Sequence, residues 1–238
     1  SLRIPERVFF HLVEDKDSEE YPFAFLATYA TKDKRGKIRH MPLKYALNEF
    51  KGEHHKLLNL LSCLNKASEV SPLIQSLVKS GEMLYPLHMG TQEAYEILRS
   101  VPEFEENGIL CRIPNWWKRR NASSVKLSVT FGEKTQSLVG FDSLISTKPE
   151  LTIDGVRLTD MEIKQILQET AGLAFIKGKW IEIDKKHMQE LLDKMDEYDG
   201  DISFLDALKL ESGIDSKSDK EKEIVNEKVD NINKKVNV

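Results

Sequence analysis

Pro22–Thr31, reading PFAFLATYAT, is the stretch that decides the fold. Its aromatic residues and threonines, spaced by small apolar ones, favour an extended strand. The charged segment Lys32–Lys37 (KDKRGK) follows, and Gly36 within it is free to take the positive φ that a turn needs. Ile38–Met41 can then return as a second strand. The spacing therefore predicts a β-hairpin, with Pro42 suited to the first turn of a helix through Leu43–Phe50.

Downstream of the hairpin the period changes from two to that of a helix. Leu57, Leu58, Leu60, Leu61 and Leu64 recur as a stripe expected to be buried. Ser71-Pro72 reads as N-cap plus first-turn proline for a helix ended by Gly81. Thr91 and Glu93 open another helix, which Pro102 is expected to interrupt and Asn107-Gly108 to end. Strands return at Ile109–Ile113 and Val125–Phe131, and Asp154-Gly155 marks a tight turn between short apolar runs. Thr159 with Glu162 forms a capping box before a helix, and Leu173–Ile183 reads as two strands around Lys177-Gly178-Lys179. Asp184 caps a helix through Met195, and Ile202–Leu210 is a last short amphipathic piece.

These readings give an α+β class. Residues 1–107 are expected to form a mainly helical subdomain with an N-terminal hairpin. Residues 108–210 are expected to form an α+β subdomain with helices on a small, mostly antiparallel sheet. Residues 211–238 hold 13 charged side chains and no aromatic, too little apolar surface to offset ordering, and read as a linker or disordered tail.

Composition narrows the function classes. Among 238 residues, 35 basic side chains face 39 acidic ones, a net charge of −4, so any contact with nucleic acid must come from a local patch. Cys63 and Cys111 are too few for a disulfide framework or a structural zinc site, and as reduced core residues with no disulfide partner they fit a cytoplasmic location. No apolar run approaches the ~20 residues needed to span a bilayer, so no membrane partner is expected. The start at Ser1, entering an apolar stretch at once, reads as a piece of a longer polypeptide.

The chemical motifs fail one by one. A phosphate loop needs a glycine five residues before its Gly-Lys pair and a hydroxyl after it. Gly36-Lys37 has Thr31 and Ile38 at those places, and Gly178-Lys179 has Leu173 and Trp180. No Gly-x-Gly occurs. The carboxylates around Gly200 would put Met195 at the first position of a calcium loop, where a ligand is required. His11, His40, His88 and His187 stand apart, and His54-His55 lack metal-ligand spacing. No catalytic residue and no metal ligand is therefore assigned.

Basic patches remain. Arg112, Trp116, Trp117, Lys118, Arg119, Arg120 and Lys126 combine cations that could neutralise phosphates with indoles that could stack on bases. The competing reading makes the tryptophans core anchors and the cations solvated. A second patch joins Lys34, Arg35 and Lys37 with Lys32, Arg39 and His40 on the hairpin turn, where charged tips are common. Lys177, Lys179 and Trp180 form a third, weaker cluster.

The order of PFAFLATYAT, HMPLKYAL, SPLIQSLVKSGEMLYPL, EAYEILRSVPEFEENGILCRIPNWWKRR and GLAFIKGKWIEIDKKHMQELL resembles the N-terminal associated region of bacterial Swi/Snf-type helicases. The likeness runs from about Val8 to Leu210, and its most specific parts are Ile113–Arg120 and Gly178–Asp184. The resemblance implies a non-catalytic accessory region that regulates or couples an ATP-dependent DNA-translocating core in the same polypeptide. ATP and Mg2+ would belong to that core, with no cofactor in this chain. Alternatives are a direct DNA-binding module, with double-stranded DNA as partner, or a protein-recruiting module.

Overall fold

The computed structural model describes residues 7–133, 144–198 and 200–203. In chain order the elements are β1 (Val8–Glu14), β2 (Phe23–Lys32), β3 (Ile38–Pro42), α1 (Ala46–Glu49), α2 (His54–Val70), α3 (Pro72–Ser80) and β4 (Leu87–Met89). Then come α4 (Thr91–Glu106), β5 (Leu110–Arg112), α5 (Asn115–Lys118), β6 (Lys126–Glu133), β7 (Leu144–Ile153), β8 (Val156–Arg157) and α6 (Asp160–Gln168). The described part closes with β9 (Leu173–Ile176), β10 (Lys179–Glu182), α7 (Lys185–Tyr198) and β11 (Gly200–Ser203). This is an α+β fold, as the sequence leads one to expect. No helix among the described residues is long and apolar enough to cross a membrane.

Two units divide the chain. The first runs up to Arg119 and takes back Glu169–Glu182; the second is built from Arg120–Gln168 and the residues from Ile183 onward. The divide expected after residue 107 falls inside the first unit, because β5 pairs in parallel with β1 there. Residues 204–238, which include the expected tail and most of Ile202–Leu210, lie outside the described residues.

The first unit is organised by a sheet of order β3-β2-β1-β5, with β4 added to β2. The expected hairpin is β2–β3, with Thr31 opposite Arg39. One face of the sheet carries Val8, Phe10, Leu12, Phe23, Phe25, Ala27 and Tyr29, all 2% exposed or less, against helix residues such as Leu60, Ile74, Leu98 and Phe104. Ser71 caps α3 through its hydroxyl, which accepts from Ile74 N–H at 3.3 Å. Gly81 ends that helix at φ 79°.

One local expectation is met with a variation, and two fail for packing reasons. Pro42 ends β3 and leads into a 3-10 turn, Leu43–Tyr45, that continues directly as α1 with Phe50 as its C-cap, so the expected helical run forms with a 3-10 first turn. Helix α4 runs straight through Pro102, because Leu98, Val101 and Phe104 on either side are anchored in the core and outweigh the missing N–H. The leucine stripe of α2 is wider than the face the core can cover. Leu60 and Leu64 are buried, whereas Leu58 stays 64% exposed and Leu61 54%.

In the second unit β7 is flanked by β6 along one edge and by β11 and β8 at the two ends of the other. Pro149 falls in the gap between those end pairings, where no N–H is required of it. Asp154 and Gly155, at φ 50° and 77°, form the expected tight turn into β8. Thr159 and Glu162 cap α6 reciprocally, at 2.9 and 3.2 Å. Asp184 caps α7 by accepting from His187 N–H at 3.0 Å, and the His187 ring meets the Val125 carbonyl at 3.0 Å. Leu127, Val129, Leu151, Ile153, Ile166, Met188 and Leu191 are buried here.

Candidate functional site

The two most distinctive segments of the sequence meet in the first unit. Helix α5 is a single turn entered from Pro114 at φ −60°, so Trp116 and Trp117 leave the backbone in different directions. Trp117 turns inward and is 5% exposed. Trp116 lies beside Trp180 of β10, with ring centroids 6.4 Å apart and planes 28° apart, and donates its indole N–H to Glu14 Oε1 at 2.5 Å. Trp180 in turn sits 4.9 Å from Phe23 and 5.3 Å from Phe175.

Tyr95 of α4 adds a second tie between these segments. Its ring meets Trp117 edge-on at 6.0 Å, and its hydroxyl donates to Glu182 Oε2 at 3.1 Å. Burial, followed by the Glu182 carboxylate, holds that hydroxyl's pKa above its ordinary value. The Arg99 guanidinium lies 5.1 Å from the Tyr95 ring centroid. Gly172 approaches so closely that a Cβ there would stand 2.1 Å from a Tyr95 ring carbon. Aromatic pairs of this kind contribute about 0.5–1.5 kcal/mol each beyond their burial, so the cluster is a substantial part of this unit's packing.

The sequence-predicted cations are placed differently from one another. Lys118 and Arg119 are exposed at the end of α5. Arg120 and Lys126 belong to the second unit and are half-buried. Lys34, Arg35 and Lys37 are exposed on the β2–β3 turn. Asp33 fixes that turn by accepting from the N–H groups of Arg35 and Lys37 at 2.8 and 2.9 Å. Trp117 has its ring packed among protein aromatics, so its face is not offered to a base.

A cluster that sequence spacing does not suggest lies on the other face of the first sheet. His11 of β1 and His40 of β3 both meet the hydroxyl of Thr28 of β2, at 2.8 and 3.3 Å. Thr28 is 2% exposed. Its hydroxyl meets both imidazoles, and which group donates in each bond is set by the tautomer of the ring. The imidazoles are edge-to-face at 5.3 Å, and Phe9 meets His40 edge-on at 4.6 Å. The Arg112 guanidinium of β5 lies 5.4 Å from the Phe9 ring centroid. Burial first, then the charges of His40 and Arg112, push His11 down to about 4. Burial and Arg112 lower His40 as well. The register that aligns β1, β2 and β3 brings these histidines together, and strand alternation is the signal that could have found them.

Cys63 and Cys111 are half-buried, and burial followed by Glu105 pushes the Cys111 thiol up to about 12, which leaves it unreactive at neutral pH. Among the described residues there is no group of three or more His, Cys, Asp or Glu side chains able to hold a metal ion.

Comparison with known proteins adds the context. A family described as SNF2 helicase protein matches residues 83–212, more than half of the chain. The matched span covers α4 through β11 and so takes in both distinctive segments. A protein of Bacillus subtilis (strain 168), YwqA, provisionally named an ATP-dependent helicase/translocase, is 27% identical over 109 residues. That likeness covers 43% of this chain and 12% of the relative. No solved structure matches.

Proposed function

The chain belongs to the SNF2 helicase protein family, and from that premise we propose that it is a non-catalytic accessory region of an ATP-dependent DNA translocase. In this reading it docks on the ATPase core of its own polypeptide and couples or regulates that core. ATP and Mg2+ are handled by the core, and the setting is the cytoplasm.

The observation that carries this reading is the use made of the family-matched segment. Its most distinctive residues, Trp116, Trp117, Trp180, Tyr95 and Glu182, are spent on packing against one another. A region whose characteristic residues build a scaffold acts through its surface rather than through a reacting group. A surface suited to docking is present on α2, where Leu58 and Leu61 project into solvent one turn apart while Leu60 and Leu64 face the core. Single exposed leucines are ordinary, but this pair on one helix face would become buried against a neighbouring domain.

The test is a double substitution, Leu58→Glu with Leu61→Glu, in the full-length polypeptide. Both positions are exposed, so the fold is expected to tolerate the change. The DNA-stimulated ATPase rate or the translocation rate is expected to shift several-fold. Unchanged values for both would remove α2 as the coupling surface.

A further inference from the structure

The two faces of the first sheet differ in chemistry. By strand alternation and register, the face opposite the helices carries Phe9, His11 and Val13 from β1, and Ala24, Leu26, Thr28, Ala30 and Lys32 from β2. Strands β3 and β5 add Ile38, His40, Leu110 and Arg112, and β4 adds His88. None of these strand residues is acidic, in a chain with 39 carboxylate side chains and a net charge of −4, and the carboxylate at the β4 edge, Asp15, lies 3.8 Å from His88. Arg112 and Lys32 are exposed. Arg112 is steadied over the Phe9 ring, which keeps its planar fork oriented. Lys32 leads directly into the turn bearing the exposed Lys34, Arg35 and Lys37, and the one carboxylate of that turn, Asp33, is occupied by its own backbone N–H groups.

We propose that this face, from Arg112 across to the β2–β3 turn, is a docking surface for the phosphate backbone of nucleic acid. The cations supply phosphate contacts, while base stacking is not available, because Phe9 is only 6% exposed beneath Arg112. Recognition is therefore of the backbone and independent of sequence. Burial chiefly, and after it the neighbouring Arg112 charge, holds His11 and His40 below the ordinary imidazole range, and it is the Arg112 contribution that a bound polyanion offsets. Binding is accordingly linked to proton uptake by these two rings, which face Thr28 from β2, Phe9 from β1 and Arg112 from β5. This surface is separate from the Lys118–Arg119 end of α5, and the inference does not depend on coupling to an ATPase core.

The experiment measures binding of the purified chain to a short fluorescein-labelled DNA duplex by fluorescence anisotropy. Salt is varied from about 50 to 200 mM, where each neutralised phosphate contributes roughly −0.9 to the slope of log affinity against log salt. With three to five of the five cations engaged, the expected slope is about −2.7 to −4.5. Arg112→Gln with Lys32→Gln is expected to reduce the slope by about two and weaken binding about tenfold at the lower salt. Lys118→Gln with Arg119→Gln is expected to leave affinity within about twofold, as contacts off the proposed path carry no defined phosphate. Wild-type affinity should also rise between pH 7 and pH 5.5 more than that of a His11→Gln, His40→Gln variant. Circular dichroism of each variant separates lost binding from lost fold. The proposal is overturned by absence of binding, by equal weakening in both cation pairs, or by polyglutamate competing as well as DNA at equal charge.

Discussion

The lowered pKa of His11 makes a quantitative claim about acid stability. In the unfolded chain an exposed histidine takes up its proton near 6.5, whereas His11 in the fold does so only at about 4. Between those values the unfolded state binds more protons, so stability falls as pH drops from 6.5 towards 4 and is fully present above 6.5. Each pKa unit corresponds to about 1.36 kcal/mol, and the shift of about 2.5 units sets a ceiling near ~3.4 kcal/mol. The imidazole is only partly buried, so solvent screening reduces the expected loss to about 2 kcal/mol. Urea unfolding of the wild-type chain and of His11→Gln at pH 7 and pH 4 measures this. Glutamine can still hydrogen-bond to Thr28 but cannot titrate, so its stability should fall about 2 kcal/mol less over that range. An NMR titration of the imidazole signals assigns the proton directly. A His11 midpoint at 6 or above, or identical acid losses in the two proteins, would refute the reasoning.

Three further expectations rest on single contacts. Gly172→Ala drives a Cβ to 2.1 Å from the Tyr95 ring at a φ of 84°, and should cost more than about 2 kcal/mol, read as a fall in Tm with loss of the Tyr95–Glu182 bond. Tyr29→Phe should be neutral or stabilising by up to about 1 kcal/mol in urea unfolding, because the fully buried hydroxyl finds no hydrogen-bond partner among the described residues. A clear destabilisation would show that the hydroxyl is satisfied. Asp184→Ala removes the N-cap of α7 and should cost about 1 kcal/mol in the second unit, seen as faster amide exchange in the first turn of that helix.

The parts of the fold legible in the sequence are those whose cause is local. The β2–β3 hairpin, the Ser71 and Asp184 caps, the Thr159–Glu162 capping box and the Asp154-Gly155 turn each follow from residues within a few positions of one another. What escaped depends on partners far away in the chain. Strand β1 draws its place from β2 on one side and from β5, about a hundred residues later, on the other. The return of β9 and β10 to the first unit likewise depends on Trp180 finding Phe23 and Trp116. Periodicity showed that α2 is amphipathic but could not show how much of its stripe the core would cover, since that depends on what packs there. At the candidate site, the cations were readable as charge. The His11–Thr28–His40 row was not, because it exists only once three strands are in register.

The central claim is that this region acts on a motor elsewhere in its polypeptide. The most direct measurement compares DNA-stimulated ATP hydrolysis and DNA affinity of the full-length protein with those of the same protein lacking this region. The account predicts that removal changes turnover at saturating DNA several-fold, in either direction. If turnover, DNA affinity and translocation rate are all unchanged, the accessory role is contradicted.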